Sequence, residues 1–169
     1  MRGFWASISA SAQRLKAIAL VRAGRAEAAV PYLEKALAAD PNAPELHGNL
    51  GLILSRQGRY DEAIPHLEKA LAGGFESGEA HLALGRALAE RGRFDEAIPH
   101  FEEVAKTDDP LALGALSSLY ARVGRLADAL RTARQGLALA TQRNDRDLIE
   151  AFNNSISLYE KAAGGAPRK

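Results

Sequence analysis

The chain has 169 residues, 47% of them hydrophobic and 25% charged, enough for one domain with a sizeable buried core. Its 22 Lys and Arg balance 21 acidic residues, so the net field draws it to neither nucleic acid nor an anionic membrane. The absence of cysteine excludes disulfide and thiolate chemistry, and no apolar run approaches the roughly 20 residues of a bilayer-spanning helix.

The first twelve residues carry a charge, two aromatics and an Ala10-Ser11-Ala12 of the kind a signal peptidase cuts. Their apolar part is short and broken by serines, which predicts a helix lead-in rather than a secretion signal. Residues 1–9 form an N-terminal extension on this reading. Phe4 and Trp5 lie within it, and the pattern that follows does not need them. They are expected either to cap the open end of the first hairpin or to anchor a partner or a second copy, aromatics being enriched in interface hot spots.

From residue 10 the chain repeats. Gly58-Arg59-Tyr60-Asp61-Glu62-Ala63-Ile64-Pro65-His66 recurs 34 residues later as Gly92-Arg93-Phe94-Asp95-Glu96-Ala97-Ile98-Pro99-His100. Related stretches begin at Gly24 and Gly124, making four copies over 10–43, 44–77, 78–109 and 110–141. The apolar spacing within each copy is helical on both sides of the glycine, so each is predicted to be a helical hairpin. Gly24, Gly58, Gly92 and Gly124 stand where the first helix must stop and a left-handed backbone is needed. Asp61-Glu62 and Asp95-Glu96 place carboxylates at the positive start of the second helix. Asp40-Pro41 and Asp109-Pro110 close two hairpins. Small residues recur where helices approach closely, at Ala17, Gly51, Gly85 and Ser117 on first helices and Ala29, Ala63, Ala97 and Ala129 on second helices. Leu20, Leu54, Leu88 and Tyr120, with Leu33, Leu67 and Phe101, fill the space between them. Pro31, Pro65 and Pro99 lie about a turn into their helices, each removing one early backbone bond.

After the fourth copy Asn144-Asp145 offers an N-cap, and Leu148, Ile149, Phe152, Ile156 and Tyr159 form one apolar stripe. Residues 142–164 are therefore a capping helix that covers the last hairpin. Residues 165–169 are expected to be disordered.

This order of small residues, turn glycine, aromatic, alanines and proline resembles the tetratricopeptide-repeat family over about Ala10 to Thr141. The sequence departs from the family where Gln13, His47, His81 and Leu113 stand in place of tryptophan, where Ala26 and Leu126 replace the turn aromatic, and where Gly136 replaces an alanine. The resemblance implies an all-α fold, a right-handed superhelical solenoid of four helix-turn-helix repeats plus the capping helix. It also implies a concave groove, lined by the first helices, that takes a peptide or helix of a partner protein. Carried over residue by residue, the groove presents Arg14, Leu15, Ile18 and Arg22, then Glu45, Asn49, Leu52 and Arg56, then Glu79, Leu82, Arg86 and Glu90, and last Leu111, Ala115, Ser118 and Arg122. Arg14 and Asn49 fall on columns of the family's carboxylate clamp, but Ile18, Glu79 and Ala83 occupy the others; of the asparagine ladder only Asn49 is present. Arg25, Arg59, Arg93 and Arg125 form a column at the hairpin turns, read either as a basic ridge for an acidic partner or as a solvated edge neutralised by Asp61, Glu62, Asp95 and Glu96.

Nothing in the sequence resembles an active site. The four histidines are two repeat-related pairs, His47 with His81 and His66 with His100, whose equivalents are expected about 10 Å apart, too far to share a metal. Phosphate-loop, GxSxG and HExxH motifs are missing from the repeats. The expected protein is thus a non-enzymatic adaptor with a protein or peptide partner, no cofactor and no metal, placed in the cytoplasm. The alternatives are an accessory segment of a larger membrane-associated or transferase-type enzyme and a scaffold that self-assembles through its N-terminal end.

Overall fold

The computed structural model describes residues 2–164, with side chains from Ser11 onward. The side chains of Phe4 and Trp5 and the tail 165–169 therefore lie outside the described residues. Among these residues there are nine helices and no strand: α1 (Arg2–Arg22), α2 (Ala26–Ala39), α3 (Pro44–Arg56), α4 (Tyr60–Ala72), α5 (Gly78–Glu90), α6 (Phe94–Ala105), α7 (Pro110–Arg122), α8 (Leu126–Gln142) and α9 (Arg146–Gly164). None is long and apolar enough to cross a membrane.

The turns inside the repeats share one local mechanism. Gly24, Gly58, Gly92 and Gly124 have φ of 72°, 73°, 74° and 80°, in the left-handed region that costs a residue without a Cβ nothing. The arginine that follows each glycine donates its N–H to the carbonyl five residues back, as in Arg59 to Leu54 at 3.0 Å and Arg125 to Tyr120 at 2.8 Å. This bond satisfies a carbonyl that the helix end would otherwise leave open. Pro31, Pro65 and Pro99 sit inside α2, α4 and α6.

The chain divides into two compact units, residues up to Ala87 and residues from Leu88 onward. In the first unit α1 packs on α2, α3 on α4, and α2 on α3. Ala17, Ala29, Leu33, Ala63 and Leu67 have no exposed surface, and Leu46 and Leu54 almost none; burying a leucine side chain this completely contributes about 1.5–3 kcal/mol. A Cβ on Gly51 would lie 2.7 Å from Leu67 Cγ and 3.1 Å from its backbone nitrogen, so the close approach of α3 and α4 requires glycine there. Phe75, which follows the Gly73-Gly74 turn, rests on Gly48 in the same manner.

In the second unit α6 packs on α7, α7 on α8, and α9 on α8 with a smaller contact to α7. Asp109 caps α7, its carboxylate accepting the N–H of Leu111 at 3.1 Å, and Pro110 is the first residue of that helix. The Asp-Pro pair thus opens the fourth hairpin as much as it closes the third. Asn144, at φ 54°, ends α8, while the Asp145 carboxylate accepts the N–H of Leu148 at 3.1 Å and caps α9. Phe152 and Tyr159 of the expected stripe are buried, Leu148, Ile149 and Ile156 are half-buried, and Leu158 on the other side is 64% exposed. A Cβ on Gly136 would lie 2.2 Å from Phe152 Cζ. The family's missing alanine is therefore a socket for the ring of the closing helix.

Candidate protein-interaction faces

The first helices of the first unit meet through some of their groove candidates. Arg14 of α1 pairs with Glu45 of α3 at 2.7 Å, and Arg56 of α3 pairs with Glu79 of α5. Exposed pairs of this kind contribute at most about 1 kcal/mol, but they show which side chains of successive first helices meet. Between α3 and α5 lies a cleft of about 200 Å³ lined by Leu52, Ser55, Arg56, Glu79, Leu82, Ala83 and Arg86. Leu15 is 69% exposed and Leu82 38%, Ile18, Asn49 and Leu52 are half-buried, and Arg22 and Arg86 are exposed. With two carboxylates already matched to two arginines, Arg22 and Arg86 remain as the uncompensated charges among these groove candidates of the unit. In the second unit Leu111 is 67% exposed, but Arg122 places its guanidinium over the Phe94 ring, 4.6 Å from the centroid. That arginine, expected in the groove, is engaged with the turn of the preceding hairpin.

The arginine column at the turns is not uniformly free. Arg59 donates from Nε and Nη2 to both oxygens of Glu62 at 2.7 and 2.6 Å, and Arg93 does the same to Glu96 at 2.7 Å each. Arg125 donates to Asp128 at 2.7 Å and stacks over Tyr120, 4.4 Å from the ring centroid. The acid lies three residues on in each case, so it is positioned by the same first helical turn. These hydrogen bonds hold the carboxyls of Glu62, Glu96 and Asp128 below the usual carboxylate range. At Arg25 the third position is Ala28. A cavity of about 460 Å³ opens beside it, lined by Gly24, Arg25, Ala26, Glu27, Ala28, Ile53, Arg56 and Gln57.

One contact was not anticipated from the repeat columns. His47 of α3 and His66 of α4 face each other with Nδ1 atoms 2.7 Å apart, and His47 Nε2 lies 2.8 Å from the carbonyl oxygen of Pro41. A carbonyl only accepts, so His47 must be protonated at Nε2 and its neutral form offers Nδ1 as an acceptor; His66 then donates from Nδ1. Burial, followed by the charges of His47 and Lys69, pushes the His66 pKa down, against an upward pull from Glu62. The two histidines are not repeat equivalents but partners across one hairpin, and folding the sequence about Gly58 brings 47 opposite 66. No group of three or more potential metal-binding side chains occurs among the described residues. In the second unit Tyr120 donates its hydroxyl to Glu102, and burial together with that carboxylate pushes its pKa up to about 12.

A tetratricopeptide-repeat family profile matches residues 14–80, 56–112 and 82–144. The chain belongs to the tetratricopeptide-repeat family. Solved structures of similar fold include the repeat protein MamA from AMB-1, with a TM-score of 0.75 and 23% identity over 95% of this chain and 88% of that one. MamA from Desulfovibrio magneticus RS-1, from residue 41 to its end, aligns with a TM-score of 0.65 and 21% identity over 90% of this chain and 96% of the other. YrrB, described as a tetratricopeptide-repeat protein with an unusual peptide-binding site, aligns with a TM-score of 0.65 and 20% identity over 86% and 88%. Identities at this level establish the tetratricopeptide fold, the all-α class expected from the repeats. Comparison with curated protein sequences gives no match.

Proposed function

We propose that this tetratricopeptide-repeat protein is a non-enzymatic scaffold that holds a peptide or helix of a partner protein against the side formed by α1, α3 and α5. The observation that carries the reading is the cleft between α3 and α5, where apolar Leu52, Leu82 and Ala83 lie beside the uncompensated Arg86. An apolar anchor in such a cleft supplies desolvation energy, and a guanidinium beside it selects a carboxylate through paired hydrogen bonds. The peptide-binding site ascribed to YrrB supports this as an analogy of fold. The near-neutral charge of the chain favours a protein over a nucleic acid as the partner.

The test uses peptides selected from a displayed random library against the whole protein. Their binding should shift backbone amide resonances of residues 49–56 and 79–86. The double variant Leu82→Arg, Arg86→Glu should weaken them at least about tenfold, which is 1.4 kcal/mol, with an unchanged helical melting curve; Lys35→Glu on α2 should not. Peptides that bind the double variant as well as the parent, or that shift only α2 and α4, would place the partner elsewhere.

A further inference from the structure

The cavity at the first hairpin turn lacks a ring that the fold supplies elsewhere. In the second unit the turn aromatic Phe94 lies under the guanidinium of Arg122, 4.6 Å from ring centroid to Cζ. Arg122 is the second residue before its turn glycine, Gly124, and Phe94 the second after Gly92. One finds the same columns in the first unit as Arg56, two before Gly58, and Ala26, two after Gly24. Alanine has no ring to offer. Ala26 and Arg56 instead line an opening of about 460 Å³ backed by Ile53, within the size range of small-ligand pockets. The same hairpin lacks its turn acid, because Ala28 stands where Glu62, Glu96 and Asp128 stand in the others. Arg25 therefore reaches the same opening without the carboxylate that neutralises Arg59, Arg93 and Arg125. Glu27 also lines the opening, but it occupies the column of Asp61 and Asp95, whose charge faces the positive start of the second helix.

We infer that this opening is a second interaction site, which shares Arg56 with the α3/α5 cleft and is otherwise lined by different residues, and that it takes an aromatic side chain of a partner protein with an acidic residue close by in sequence. The ring would stack against Arg56, a cation–π contact, and the carboxylate would pair with Arg25, together replacing the two side chains that the first turn has lost. The N-terminal Phe4-Trp5 of a second copy is the weaker fit, since the charge beside it is Arg2 and would meet Arg25 and Arg56.

The probes are the acetylated, amidated peptide Glu-Phe-Asp-Glu and 3-phenylpropanoate, titrated into the whole protein while backbone amides are followed by NMR. The expected result is millimolar or tighter binding with shifts at residues 24–28 and 53–57, and clearly weaker binding of 3-cyclohexylpropanoate. Ala26→Phe should fill the opening from within, raise the melting temperature and abolish those shifts. Ala28→Glu should neutralise Arg25 and weaken the peptide several-fold even if the phenylalanine variant folds poorly. Shifts that map elsewhere, persist in both variants, or are matched by the cyclohexyl probe overturn the inference. So does a concentration-dependent mass lost on replacing Phe4 and Trp5 and blocked by the peptide, which would make a second copy the occupant. The groove variant Leu82→Arg, Arg86→Glu should leave the shifts at 24–28 in place.

Discussion

Gly136 is a departure from the repeat pattern that the sequence displays and only the structure explains. Its missing methyl makes room for the Phe152 ring, and that ring is itself 3% exposed and has nowhere to retreat. Gly136→Ala is expected to destabilise the protein by about 1–3 kcal/mol, the usual cost of overpacking, read as a lower denaturant midpoint. Adding Phe152→Leu should recover part of the loss. Two titrating side chains give pH signatures. His66 has a lowered pKa in the fold, so the unfolded chain takes up its proton first and stability present above about pH 6.5 declines as pH falls. His47→Phe removes the charge of His47 but leaves the burial that is the larger cause, so it should flatten that slope only in part, and nitrogen chemical shifts with both rings neutral should report the Nε2–H tautomer of His47 and the Nδ1–H tautomer of His66. Tyr120 behaves in the opposite sense. Its pKa is pushed up to about 12, so its contribution is complete below about pH 10 and lost as pH rises toward the folded value; Tyr120→Phe should remove that alkaline step from melting curves. Neither pair was legible from the repeat columns, because columns compare residues 34 apart and these contacts join positions 19 and 18 apart.

Between single residues and the molecule, the hairpin was the most legible level. The turn glycines take the left-handed backbone that their spacing implied, and the alanine columns at Ala29, Ala63, Ala97 and Ala129 are wholly buried. Local chemistry decided both, and local chemistry is what a sequence window records. The turn arginines were less legible. The expectation offered a ridge or a neutralised edge, and three of the four arginines are chelated by an acid one helical turn away. A double-mutant cycle on Arg59 and Glu62 should give a coupling of no more than about 1 kcal/mol that shrinks with added salt. The same cycle at Arg25 and Ala28→Glu should show coupling appear where the parent has none. Deleting α9 would remove Phe152 from Gly136 and Gly114, and should lower the melting temperature far more than any exposed-charge change.

At the scale of the whole chain the repeat family and the all-α class were readable because 34-residue self-similarity has few physical solutions. The charge pairing of the groove candidates was not readable. Family columns nominated Arg14, Arg56 and Arg122 for the groove, but Arg14 and Arg56 are matched by Glu45 and Glu79, and Arg122 lies on Phe94. Which charges cancel depends on how neighbouring hairpins register, and no single repeat encodes that. Because Gly51 answers to Leu67 in one unit and Gly136 to Phe152 in the other, their alanine substitutions share no partner. Their costs should add to within about 0.3–0.5 kcal/mol in denaturant unfolding; a larger discrepancy would reveal coupling between the units.

The glycine socket also settles where the last helix belongs. The positions equivalent to Gly136 in the earlier hairpins are Ala36, Ala70 and Val104, all buried and all bearing the Cβ that Phe152 excludes. The closing helix is thus addressed to one hairpin of four. A refolding chain that seated the helix in the same way on another hairpin would meet a Cβ where the Phe152 ring needs none.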